Sequence, residues 1–184
     1  KGIGPARLQA IDRCRRRWGV EPLGAVAAGA VLVPGDAAMP AAVRGLARPP
    51  LHLYWCGRGQ LWSPLRRGQA VAVVGTRQPS VHGRAMAEAI GAALAGAEQG
   101  LLLSEQAPGC GVCAWHFAAR NRLQVALAQA VVLVECPEPS GALHAAELAW
   151  ESGKQLWVVP ADAAKRSAAG SNRWLARGAA PLLN

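Results

Sequence analysis

Short apolar runs, separated by stretches with helical periodicity, constrain the fold of this chain more than any other feature. The runs occupy residues 51–55, 71–75, 101–104, 130–135 and 156–160. Helices are predicted over residues 83–97, 116–128, 141–152 and 171–177. Strands without polar alternation are buried on both faces, and strands that alternate with helices form a parallel sheet covered by helices. The sequence therefore predicts an α/β domain with a Rossmann-like parallel sheet flanked by helices.

The first part of the chain has a different pattern. Residues 1–48 are predicted to form a small helical N-terminal unit, and residues 49–184 the Rossmann-like domain. Pro5 suits a helix start, and Leu8 and Ile11 follow near helical spacing. The stretch GIGPAR at 2–7 is similar to the hairpin of a helix-hairpin-helix, whose backbone amides can hold a DNA phosphate. A plain helix start is the simpler interpretation of the same residues.

The turn Gly75-Thr76-Arg77 follows the second apolar run and precedes a predicted helix. In open parallel sheets, ligands bind beyond the carboxyl ends of the strands. Backbone amides and a helix N-terminus favour an anion there, and Arg77 adds a charge with bidentate geometry. A phosphate is the expected ligand. The turn lacks the G-x-G-x-x-G spacing of a dinucleotide site, and the chain has no P-loop, so no cofactor is predicted.

A second group of candidate residues, Phe117, Arg120, Asn121 and Arg122, lies on or just before a predicted helix. An aromatic ring beside arginines suits a single-stranded nucleic acid, because the ring stacks a base while guanidinium groups hold the adjacent phosphates. The alternative is that Phe117 is a core residue and the arginines form a solvated face. The net charge of +9 favours a polyanionic partner, although a GC-rich genome explains the excess of arginine equally well.

Other classes of function receive less support. The five cysteines are odd in number and scattered, which indicates a reducing cytoplasm rather than a disulfide framework. The C-G-V-C at 110–113 lacks a second pair of zinc ligands, so no metal site is predicted. The apolar runs are too short to cross a membrane. Glu105 and Glu135 stand at strand ends without a paired acid or nucleophile, so no catalytic residue is predicted.

Six blocks of sequence resemble the DNA-processing protein A family, called DprA or Smf. They are PPLHLYWCG at 49–57, VAVVGTRQPSVHG at 71–83, LLLSEQAPG at 101–109, FAARNRLQVALAQAVVLVE at 117–135, SGALHAAELAWESGKQLWVVP at 140–160 and GSNRWLARGAAPLL at 170–183. The resemblance implies a non-catalytic cytoplasmic protein that binds and protects incoming single-stranded DNA. It also implies a homodimer that loads the RecA recombinase during natural transformation.

The resemblance also assigns DNA-contact positions. By block matching they fall on Gly75, Thr76, Arg77, Phe117, Arg120, Asn121, Ser140, Gly141 and Asn172. One departure concerns the middle of the chain, where the family has a strand and a loop of the type S-G-x-A-x-G-I-D. That segment is missing here, which indicates an internal deletion between Gly100 and Leu101. Loss of this second loop implies a smaller sheet, a half-built DNA groove and weak binding.

Two other interpretations remain open at this stage. One is a phosphoribohydrolase of the lysine-decarboxylase-like type, which shares the broad fold. That enzyme would need the motif P-G-G-x-G-T-x-x-E, and the sequence lacks it. The other is a degenerate remnant without function, which the apparent deletion favours.

Overall fold

The computed structural model describes residues 31–57, 59–95, 101–106 and 113–183. These residues belong to two compact units. The first unit contains the described residues up to Arg67 together with 101–106, and the second contains 68–95 and 113–183. Residues 1–30, which carry the helix-hairpin-helix-like stretch, lie outside the described residues. The helical N-terminal unit and its boundary at residue 48 therefore stay predictions.

The described strands and helices follow one another along most of the chain. The strands are β1 (Val31–Leu32), β2 (Leu53–Gly57), β3 (Val71–Val74), β4 (Leu101–Ser104), β5 (Ala130–Leu133), β6 (Gln155–Val158) and β7 (Ala180–Pro181). The helices are α1 (Ala41–Arg44), α2 (Trp62–Arg66), α3 (Val81–Ala95), α4 (Ala114–Leu127), α5 (Gly141–Glu151) and α6 (Ala169–Ala176). The four helices predicted from the sequence correspond to α3, α4, α5 and α6.

In the first unit, β1, β2 and β4 form an antiparallel sheet in which Tyr54 lies opposite both Val31 and Ser104. Leu53 is fully buried, and the Trp55 and Trp62 rings meet edge to face at 5.9 Å. We expected the runs at 51–55 and 101–104 to join the parallel sheet, and this part of the prediction is wrong. An unbroken apolar run indicates burial on both faces, but it does not determine the direction of the partner strand.

In the second unit, β3, β5, β6 and β7 form a parallel sheet in that order. All four residues of β5 are buried, as expected for a central strand. Alternate residues of this strand face opposite sides, because side chains alternate along a strand. The predicted α/β class, with a parallel sheet flanked by helices, is confirmed.

The two faces of this sheet carry different helices. Val131 and Leu133 belong to a core that includes small residues of α5 and the fully buried Trp174 of α6. Val132 and Val134 pack on the other side with residues of α3, among them Met86. Truncation of a buried side chain such as Leu133 to alanine would destabilise this core by about 2–5 kcal/mol. The helices on both faces leave the carboxyl edge of the sheet as the place where the loops converge.

Candidate functional site

A cavity of about 250 Å³ lies at the carboxyl edge of the parallel sheet, entirely within the second unit. The end of β3 with the turn after it, one face of α4 and the first two turns of α5 line it. Most of the residues predicted for the site contribute to this lining, namely Gly75, Thr76, Arg77, Phe117, Arg120, Asn121, Ser140 and Gly141. Three segments far apart in the sequence meet here because the carboxyl ends of parallel strands lie at one edge.

The turn after β3 is held against the end of β5. The Thr76 amide donates a hydrogen bond to the Glu135 carbonyl oxygen at 2.7 Å. A Cβ at Gly75 would lie only 3.2 Å from that oxygen, so the close approach favours glycine. We expected the following helix to present its N-terminus here, but no residue of α3, which begins at Val81, lines the cavity. The helix N-terminus that lines the cavity is that of α5.

One face of α4 supplies the wall opposite the turn. Phe117, Arg120 and Asn121 follow one another at helical spacing, so they share a face. Arg120 donates from Nη2 to the Asn121 Oδ1 at 3.2 Å, and Asn121 donates from Nδ2 to the Gly141 carbonyl oxygen at 3.0 Å. Asn121 is only 4 % exposed, so the exposed arginine is oriented by a fixed amide. The buried amide thus connects α4 to the start of α5.

The first turn of α5 closes the cavity with backbone groups. Ser140 is the N-cap, and its Oγ accepts a hydrogen bond from the Ala142 amide at 3.3 Å. Gly141 is exposed, and a Cβ placed on it would contact nothing within 4 Å. The first amides of a helix have no partner within the helix and carry partial positive charge. This end of α5 therefore favours an anion.

The charge of the cavity is positive and uncompensated. Among the described residues, its lining contains Arg77 and Arg120 but no carboxylate. Within the described parts of the chain, neither arginine forms an ion pair, whereas Arg173 pairs with Glu138 and Arg177 with Glu147 elsewhere on the second unit. Two guanidinium groups, the N-terminus of α5 and one aromatic ring can together bind a phosphate and an adjacent flat group.

Two predicted residues do not reach the cavity. Arg122 lies about 140° around α4 from Phe117, because each residue of a helix turns by about 100°. Asn172 donates from Nδ2 to the Asp162 carbonyl oxygen at 3.1 Å, which fixes the loop after β6. Neither side chain lines the cavity. The structure thus separates Arg122 and Asn172 from the other predicted positions.

Gln124 lines the cavity and was missed by the sequence interpretation. Its Oε1 is buried and accepts no hydrogen bond from the described residues. The signal was available in the sequence, because Gln124 lies seven positions after Phe117 and therefore on the same helix face. An unpaired amide oxygen at this place can accept a hydrogen bond from a bound group.

Behind the turn, the carboxylate of Glu135 supports the start of α3. Its Oε2 accepts hydrogen bonds from the Ser80 amide at 3.1 Å and from the Ser80 Oγ at 2.7 Å, while the Lys165 ammonium lies 3.5 Å from Oε1. Burial raises the pKa of Glu135, but hydrogen bonds from Ser167 and Ser80 and the charge of Lys165 outweigh it. The pKa therefore lies below its ordinary value.

The described residues contain neither a cluster of metal ligands nor a helix able to span a membrane. No three metal-binding side chains come together in the described ranges. Cys110 of the C-G-V-C stretch lies outside them. None of the described helices combines the length and the apolar character that a membrane span requires.

Comparison with known families gives one clear match. The family model of the DNA recombination-mediator protein A matches residues 30–98 and 94–184. The two matched segments overlap at residues 94–98, close to the junction between Gly100 and Leu101 where we expect the deletion. Gly100 itself lies outside the described residues.

Curated relatives match parts of the chain. DNA processing protein DprA of Bacillus subtilis is 35% identical over 83 residues, which is 45% of this chain and 28% of that protein. DNA processing protein DprA of Streptococcus pneumoniae is 32% identical over 96 residues, covering 50% of this chain and 32% of that protein. The matched part thus spans about a third or less of these relatives.

Solved structures share the fold. The DNA processing protein A from Streptococcus pneumoniae has a TM-score of 0.74 at 18% identity, over 98% of this chain and 90% of that chain. DNA processing protein A from Helicobacter pylori, whose structure describes a single-stranded DNA binding mode, has a TM-score of 0.68 at 24% identity. That match covers 79% of this chain and 88% of the other. Both similarities support the architecture described above.

Proposed function

This chain belongs to the DNA recombination-mediator protein A family, as its six sequence blocks indicated, and from that premise we propose that it binds single-stranded DNA. The proposed binding site is the cavity at the carboxyl edge of the parallel sheet. The observation that carries the proposal is the composition of its lining, in which Arg77 and Arg120 lie beside Phe117 and none of the described residues is a carboxylate. A strand with unpaired bases can place a base and its phosphate against this cluster, whereas a duplex keeps its bases stacked inside.

Each part of the lining has a role in this proposal. The backbone at Gly141 can approach a phosphate closely, because the space in front of its Cα is open, and the Gly75-Thr76 turn places Arg77 at the same cavity. Arg77 and Arg120 add charge-assisted hydrogen bonds to phosphate oxygens. Arg122 and Asn172, which lie outside the cavity, would contact nucleotides that extend beyond it. Asn121 acts by holding Arg120 in place.

The proposed partners of the protein are inferred from its family and not from the residues of the cavity. We extend the proposal to a cytoplasmic homodimer that protects incoming DNA and loads the RecA recombinase during natural transformation. Membership of the family and the names of its DprA relatives support this extension. The missing second loop leads us to expect weaker DNA binding than a complete groove would give.

We further propose that binding takes place without catalysis. A phosphoribohydrolase of this broad fold requires a carboxylate within hydrogen-bond reach of the bond it cleaves. In the described lining of the cavity there is no carboxylate, and Glu135 is engaged by Ser80 and Lys165. This arrangement is more typical of a carboxylate that supports the turn than of a carboxylate that transfers protons.

The test is a comparison of strand forms. Fluorescence anisotropy with a labelled oligothymidylate and with a duplex of the same length should show preference for the single strand, and binding should fall steeply with salt. Equal affinity for the two forms would contradict the proposal. In parallel, incubation with AMP, ATP and DNA should release neither base nor phosphate, and release by the purified protein would overturn the non-catalytic part.

A further inference from the structure

Arg77 lies over the face of the Phe117 ring. The carbon of its guanidinium group is 4.5 Å from the ring centroid, and that of Arg120 is 5.9 Å away. A cation at this distance is attracted by the negative face of the ring. The contact joins the turn after β3 to α4, so it connects two walls of the cavity.

The contact with Phe117 fixes the orientation of the Arg77 guanidinium group, which no other described side chain holds. Arg77 is exposed, and among the described residues its guanidinium group forms neither an ion pair nor a hydrogen bond. An exposed arginine loses rotamer freedom whenever it binds a ligand. Phe117 is half-buried on a helix, so its ring is a fixed surface for the guanidinium group. A neutral ring also leaves the full charge of Arg77 available to a phosphate.

The same contact limits what Phe117 itself can do. The guanidinium group covers one face of the ring, so a base could reach that face only by displacing Arg77. Arginine has a flat outer face that stacks on bases, and its edge donates to phosphate oxygens. Arg77 can therefore contact a base with its outer face and a phosphate with its edge while its inner face stays on Phe117. DNA binding then does not require that Arg77 leave the ring.

We propose that Phe117 is a positioning residue for Arg77, and that the guanidinium group rather than the ring contacts the DNA. This inference rests on the proposed single-stranded DNA binding. It predicts that the two residues act as one unit. Substitution of Phe117 should lose much of the DNA affinity that substitution of Arg77 loses. The double variant should lose little more than Arg77→Ala alone.

A double-mutant cycle with labelled oligothymidylate tests this coupling between Phe117 and Arg77. Phe117→Leu keeps the apolar volume and removes the ring, and we expect a loss of roughly threefold to thirtyfold in affinity. In the Arg77→Ala background the same substitution should change affinity by less than about twofold. Phe117→Tyr keeps the ring and should bind like the wild type. Additive losses in the cycle, or normal binding by Phe117→Leu, would overturn the proposal.

The salt dependence separates positioning from direct stacking. If Phe117 positions Arg77, Phe117→Leu should also make the salt dependence shallower, because a phosphate contact is lost. A ring that stacked directly on a base would leave the slope unchanged, since stacking releases no counterions, and this result would contradict the inference. A merely structural role would lower the melting temperature of Phe117→Leu without altering the slope.

Nuclear magnetic resonance of the free protein gives a readout that does not depend on DNA. The Arg77 Hε resonance should be shifted upfield by the ring in the wild type and in Phe117→Tyr, and the shift should vanish in Phe117→Leu. An unshifted resonance in the wild type would overturn the proposal. If the wild type shows the shift yet binds no oligothymidylate, the stack is supported and the proposed function is the part that is wrong.

Discussion

Gly83 lies so close to the carboxylate of Glu135 that a Cβ on residue 83 would come within 1.8 Å of its Oε2 atom. The same oxygen accepts two hydrogen bonds from Ser80 just before α3. Glu135 also accepts, through its backbone carbonyl, the amide of Thr76 in the turn that lines the cavity. The end of β5 thus fixes both the anion-binding turn and the start of the helix that follows it.

Gly83→Ala should destabilise the protein, because the added methyl group displaces a buried carboxylate from its hydrogen-bond donors. We expect a loss of about 1–3 kcal/mol in the free energy of unfolding, measured by urea titration. Gly91→Ala is the matched control in α3, since a Cβ there would contact nothing within 4 Å. That substitution should be neutral or stabilise by up to about 1 kcal/mol. Equal stabilities for the two variants would show that the Glu135 contact does not constrain residue 83.

Glu135→Gln should remove a pH-dependent part of the stability. The pKa of Glu135 is lowered in the folded protein, so the folded state binds fewer protons than the unfolded state between the two pKa values. Its contribution is therefore present above the ordinary glutamate pKa of about 4.3 and is lost as the pH falls through the folded pKa. Urea titrations over a pH series should show the wild type losing its advantage over the variant on acidification. A difference that stays constant over this range would contradict the assignment.

Gly141→Ala should weaken DNA binding without loss of stability. The residue begins α5, lines the cavity and has open space in front of its Cα, so a methyl group there fits the fold. The methyl group would nevertheless separate a phosphate from the first amides of the helix. We expect a severalfold loss of affinity for oligothymidylate in anisotropy titrations. Gly91→Ala makes the same chemical change in α3 and should bind normally, and equal binding by both variants would remove Gly141 from the site.

Much of the second unit was predictable because its sequence signals are local. Strands β3 and β5 are apolar throughout and β6 is apolar after Gln155, and the amphipathic stretches between them become the flanking helices. In the first unit, β4 pairs antiparallel with β2, a strand from far earlier in the chain. A short apolar run does not indicate which distant strand it pairs with, so the antiparallel direction of this pair could not be predicted.

The site could be predicted in part for a similar reason. The residue types around Phe117 indicated nucleic-acid binding, but helical angle decides which of them face the cavity. Gln124 shares the helix face of Phe117, whereas Arg122 does not. An interpretation based on residue types alone therefore included Arg122 and missed Gln124. The role of Glu135 could not be predicted, because its partners Ser80 and Lys165 come from distant loops.

The central claim, that single-stranded DNA binds in the cavity through Arg77, is tested most directly by comparing Arg77→Ala with Arg177→Ala. Both changes remove one positive charge, but Arg177 pairs with Glu147, and neither of these two residues lines the cavity. Titrations of oligothymidylate at several salt concentrations should show Arg77→Ala binding more weakly by about 1–3 kcal/mol, with a salt slope shallower by about one. Arg177→Ala should bind like the wild type. Equal losses of affinity and slope in the two variants, both folded by circular dichroism, would contradict the claim.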